Sequence, residues 1–165
     1  MLNLTSIVAL VTLPLAAAPA PAQSIAGSDA AACRGSGPAI LVNVSGFKNR
    51  AGRVRVNVYG SNPAHFLAKG KYVRRVDVPV SGNRMRVCVK VPQAGNYAVA
   101  VRHDADANGK SGWSDGGGFS RNPDISLTNL KPKYSQVAIP VSGVKNVDVV
   151  LNYRRGLSIA PINGD

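Results

Sequence analysis

Valine at every second position limits this chain more than any other feature. Val54, Val56 and Val58 share one side of residues 53–59; Met85, Val87, Val89 and Val91 do so in 84–91, and Tyr97, Val99 and Val101 in 96–103. Period-two alternation gives an extended strand one apolar and one polar face, and a helix of 3.6 residues per turn would scatter the same residues around its axis. The pattern predicts further strands over 39–45, 73–80, 134–141 and 147–153, about seven in all. Asn49-Arg50-Ala51-Gly52, Ser81-Gly82-Asn83, Gln93-Ala94-Gly95 and Ser142-Gly143 fall between them with turn chemistry, and 63–68 reads as a single helical turn. There is no Glu, all eight acidic residues being Asp. A helical bundle normally draws on Glu, so an all-α fold is excluded. The expected fold is all-β: an antiparallel β-sandwich over residues 39–155, followed by a tail over 156–165.

Residues 7–18 are apolar, too few to span a bilayer but enough for the core of a signal peptide. Ala20-Pro21-Ala22 supplies the small-x-small cleavage pattern, so 1–22 is expected to be removed after Ala22. Residues 23–38, rich in Ala, Ser and Gly, read as a mobile leader. Export to the periplasm or beyond the cell would place Cys33 and Cys88 in an oxidising compartment, where a disulfide is the default. Alternation puts Cys88 on the outer face of its strand with Arg84, Arg86 and Lys90. The bond would therefore staple the leader across the exterior of the sheet.

One segment breaks the alternation. In Asp104-Ala105-Asp106-Ala107-Asn108-Gly109-Lys110-Ser111-Gly112-Trp113-Ser114-Asp115, side-chain oxygens stand at positions 1, 3, 5 and 12, with glycine at 6. This is the spacing of a calcium loop of the EF-hand type, with Asp115 in place of the closing Glu. A hard cation needs six to eight oxygens, and alternate residues of a tight loop can converge on it. The expected ligands are Asp104, Asp106, Asn108, the Lys110 carbonyl and Asp115. The shorter Asp115 side chain predicts weak calcium affinity. The competing reading is a solvated hairpin of Asx turns with Arg102, Lys110 and Arg121 as counter-charges. A strand rather than a helix precedes the loop, so no helix-loop-helix switch is implied.

The run from Pro92 through Gly95-Asn96-Tyr97-Ala98-Val99-Ala100-Val101-Arg102-His103-Asp104 to Asn108-Gly109-Lys110, followed by Gly118-Phe119-Ser120-Arg121-Asn122, resembles the bacterial domain of unknown function 2141 family. The resemblance spans roughly residues 40–153. It implies an exported single-domain β-sandwich without an assigned activity. The strand and turn around Gly95 and Tyr97 also resemble transthyretin-like and carboxypeptidase-regulatory modules, an analogy of fold alone. The sandwich is therefore expected to be transthyretin-like or immunoglobulin-like.

The formal net charge is +12. Arg53 and Arg55 share the outer face of one strand, and Arg84, Arg86 and Lys90 that of another, a basic surface suited to anionic envelope components such as lipopolysaccharide or polysaccharide. Aromatic residues are only 5% of the chain, and no stacking platform or helix-turn-helix pattern points to nucleic acid. No nucleophile elbow accompanies His103, which reads as a structural residue at a strand end bonded to loop backbone. His65 and His103 with a bonded cysteine pair leave no tetrahedral zinc set. The function expected from the sequence is a non-enzymatic binding or structural module of the envelope with a weak calcium loop. The alternative is an electrostatic binder of envelope polyanions.

Overall fold

The alternating segments pair into two sheets whose valine faces meet. A computed structural model describes residues 24–162; the signal peptide expected over 1–22, with its cleavage point, lies outside the described residues. The strands are β1 (Ile25–Ala26), β2 (Ala39–Ser45), β3 (Arg53–Tyr59), β4 (Arg74–Pro79), β5 (Met85–Lys90), β6 (Gly95–Asp104), β7 (Gly116–Phe119), β8 (Ala138–Val141), β9 (Val144–Val150), β10 (Asn152–Arg155) and β11 (Ser158–Pro161), with a helical turn α1 (Tyr134–Val137) before β8. One sheet runs β1-β5-β2-β9. The other runs β11-β10-β7-β6-β3-β4, with β8 beside the first half of β6. Most pairs are antiparallel; β1–β5 and β2–β9 are parallel. The chain is thus the expected β-sandwich, with a mixed smaller sheet.

Between the sheets lie Val42, Val44, Val54, Val56, Val58, Val87, Val89, Val99 and Leu151, each almost wholly excluded from water. Every such side chain contributes about 1.5–3 kcal/mol of burial free energy, so the repeated alternation is also the principal source of stability. A second apolar cluster covers part of the large sheet's outer face, where Tyr59, Ala98, Ala100 and Phe119 meet Phe66, Tyr72, Ile125 and Val137.

Several expectations are revised. Tyr134–Val137 forms a helical turn, so the sixth predicted strand begins only at Ala138. The seventh, 147–153, is two strands: β9 lies in the small sheet and β10 in the large one, with the chain crossing at Leu151. Strand β7 falls inside what reads as loop, because a glycine run has no strand propensity of its own. Its glycines answer to neighbours. A Cβ on Gly116 would lie 2.4 Å from the Tyr153 ring, and one on Gly118 would lie 2.5 Å from the Val150 carbonyl.

The segment 23–38, expected to be a mobile leader, carries β1 and a 3-10 turn (Ala32–Arg34), and the expected tail carries β11. Cys33 is bonded to Cys88, with a Cα–Cα distance of 5.9 Å. Cys88 does occupy the outer face of β5, but the leader covers it there, in a small cluster with Ala39, Leu41, Ile25 and Ala32. Asp29 adds polar anchorage, accepting hydrogen bonds from the Arg74 guanidinium and from the Lys90 N–H.

Candidate metal centre

The Asp-rich segment 105–115 links β6 to β7, antiparallel neighbours that pair from Ala100↔Phe119 to His103↔Gly116. Its entrance is held from the side by the β2–β3 connection. Gly52 has φ +74° and sits so close to the Asp104 carbonyl that a Cβ there would overlap it, which is why only glycine serves. Next to it, His103 is fully buried, with Nε2 2.8 Å from the Ala51 carbonyl and Nδ1 2.7 Å from the Tyr153 hydroxyl. The histidine thus ties loop backbone at a strand end, as its position suggested.

Within the loop, one carboxylate oxygen from each of Asp104, Asp106 and Asp115 lies within 4.8 Å of the others. Two oxygens each about 2.4 Å from a common ion span about that distance, so the spacing suits a hard cation. Asp104 is buried. Its Oδ2 accepts from the Gly109 N–H at 3.0 Å and from Arg102 Nη2 at 3.1 Å, whereas Oδ1 is buried with no hydrogen-bond partner. Asp106 accepts from the Asn108 N–H and side-chain amide. Asp115 accepts from the Ala105 and Gly112 N–H groups and from the Ser114 hydroxyl. Asn108 Oδ1 receives the Lys110 N–H at 2.7 Å, and Gly109, with φ +77°, makes the turn between them.

Three of the five predicted ligands are therefore brought together through their side chains, with Asn108 hydrogen-bonded to one of them and Lys110 tied in through its backbone. Of the predicted counter-charges, Arg102 pairs with Asp104, while Arg121 turns away to the Ser135 carbonyl. The donor set is all oxygen and anionic. One buried oxygen lacks the hydrogen bond that a buried polar atom normally has. The three carboxylates are placed so that they could hold a metal ion.

With this geometry in place, the comparison with known families is decisive in one respect. The profile of the family described as "uncharacterized protein conserved in bacteria (DUF2141)" matches residues 42–149. The chain belongs to this family. No curated protein and no solved structure matches it. The DUF2141 match covers β3 to β8, most of β2 and β9, and the whole acidic loop.

The predicted basic residues of this DUF2141 domain do not share one sheet. Arg53 and Arg55 lie on β3 in the large sheet, and both guanidinium groups grip Asp77, at 2.6 and 2.7 Å. Burial pushes the Asp77 carboxyl up, but those hydrogen bonds outweigh it and hold the group below the usual carboxylate range. Arg86 and Lys90 lie on β5, with Arg84 just before it, in the small sheet. The predicted set is thus divided between two sheets, which alternation within single strands could not reveal. Sequence reading also missed Tyr153, which buttresses His103 from another strand, and the stacking of the Arg154 guanidinium on Trp113 at 3.7 Å. No local signal links either pair. Among the described residues no helix is long and apolar enough to cross a membrane.

Proposed function

We propose that this domain is a non-enzymatic binding or structural module exported to the bacterial envelope, whose β6–β7 loop binds calcium weakly and is ordered by it. The observation that carries this reading is the buried, unpartnered Asp104 Oδ1 within a cluster of three converging carboxylates. Such a cluster repels itself unless a cation or a set of donors offsets it. Asp104, Asp106, Asp115 and Asn108 supply side-chain oxygens, and the Lys110 carbonyl is the expected backbone ligand. The disulfide supports an extracytoplasmic address.

A ligand that binds only the folded state raises the melting point according to its concentration over Kd. Calcium at a few times a Kd of about 10⁻⁴–10⁻³ M should therefore raise the melting midpoint above that in chelator. Asp106→Asn, at an exposed position, should abolish the rise without unfolding the protein. An unchanged midpoint in wild type rejects the site.

A second reading has its own observation. The Arg102–Asp104 ion pair at 3.1 Å and the Asx turns at Asp106 and Asn108 are those of a loop held by its own side chains. On that reading Arg102→Gln destabilises the domain equally with and without calcium.

A further inference from the structure

Beside the acidic loop, on the outer face of the large sheet, β7, β10 and β11 border a groove of about 430 Å³. Phe119, Leu127, Leu130 and Ile159 make most of its lining apolar. Trp113, the chain's single tryptophan, stands at the rim and is 77% exposed; Leu130 is 51% exposed. Apolar surface left in water forfeits about 25 cal/mol per Å², and a concave apolar patch with a polar rim is where small ligands bind. The volume lies at the low end for small-molecule sites.

The charge at the rim selects the ligand. Among the described residues, Arg154 is the single cationic one that lines the groove. Its guanidinium carbon lies over the Trp113 ring, 3.7 Å from the centroid, and its Nε donates to the Gly156 carbonyl. Among the described residues it pairs with no carboxylate. Asp115 also lines the groove, its carboxylate oriented by hydrogen bonds from the Ala105 and Gly112 N–H groups and the Ser114 hydroxyl. A guanidinium held on an aromatic ring, with its Nη donors available, is set up to take a carboxylate in a two-pronged hydrogen bond.

We propose that this groove binds a small apolar monocarboxylate, its chain or ring on Phe119, Leu127, Leu130 and Ile159 and its carboxylate on Arg154. This goes beyond the calcium reading: the loop supplies Trp113 and part of the rim, but none of the expected calcium ligands holds the carboxylate. The test is a titration of the purified protein with decanoate, once in chelator and once in calcium, followed by Trp113 emission and by calorimetry; saturation in either condition counts as binding. Decyltrimethylammonium is the probe of equal chain length and opposite charge.

Decanoate should bind saturably, and the cation should not. Arg154→Gln should weaken decanoate binding about tenfold to a hundredfold, the worth of a hydrogen bond to a charged group. Leu130→Glu, at an exposed position that the core does not need, should weaken it as well while leaving the melting midpoint unchanged. The absence of saturation, equal binding of the two probes, or wild-type affinity in both variants overturns the proposal.

Discussion

Buried between Phe47 and Tyr153, the His103 ring has both nitrogens engaged. The Ala51 carbonyl can only accept, so Nε2 carries the proton and Nδ1 accepts from the Tyr153 hydroxyl. That hydroxyl in turn accepts from the Lys48 N–H at 3.3 Å. Burial, with the charge of Asp115 adding to it, pushes the Tyr153 hydroxyl up to about 12, against the opposing Lys48 hydrogen bond. In the unfolded chain a tyrosine loses its proton near pH 10. Between those values the unfolded state binds fewer protons than the folded one. Stability is therefore full below about pH 10 and falls as pH rises toward 12, by on the order of 2–3 kcal/mol from this group. Burial raises Tyr59 and Tyr134 too. Tyr153→Phe should consequently flatten, not abolish, the slope in urea melts between about pH 8 and about pH 11. It should also cost about 1–3 kcal/mol at neutral pH by leaving His103 Nδ1 unpaired. That His103 ends a strand and grips a loop is legible from its place before Asp104. Its partner, fifty positions away, is not.

Among the secondary-structure elements, strands with their own alternation were legible and strands that borrow their stability were not. Strand β7 is four residues of Gly-Gly-Gly-Phe, shaped by the Tyr153 ring and the β9 backbone above it. Strand β1 is two residues long and exists because the leader just after it is pinned twice, by Asp29 and by Cys33–Cys88. Hydrogen bonds from Arg74 hold the Asp29 carboxyl below its ordinary value despite partial burial. Its contribution is therefore present above about pH 4 and lost as pH falls through the lowered value. Replacing both cysteines by serine should cost about 4 kcal/mol on the loop-closure estimate. In that variant the Lys90 N–H should remain protected from hydrogen exchange at neutral pH and lose protection in acid, as Asp29 protonates. Fast exchange of Lys90 at neutral pH would show that the disulfide alone holds the leader.

Taken whole, the molecule is a cationic body with one concentration of carboxylates, at the loop end of β6. Because Arg53 and Arg55 belong to one sheet and Arg84, Arg86 and Lys90 to the other, attraction to polyanions should follow total charge. Arg53→Ala with Arg55→Ala, and Arg84→Ala with Arg86→Ala, should each lower the salt needed for elution from heparin by a similar modest step. Loss of retention in one double variant alone would locate a single binding face. Strands with their own alternation, the turns and the acidic loop could be read from the chain, because each depends on neighbours two to twelve positions apart, and the staple could be read because the chain has just two cysteines. Sheet membership, the crossing at Leu151, the cover over Cys88 and the groove beside Trp113 came from the fold. Each depends on register between segments far apart in the chain, and alternation, which repeats identically in every strand, carries no information about which strands meet.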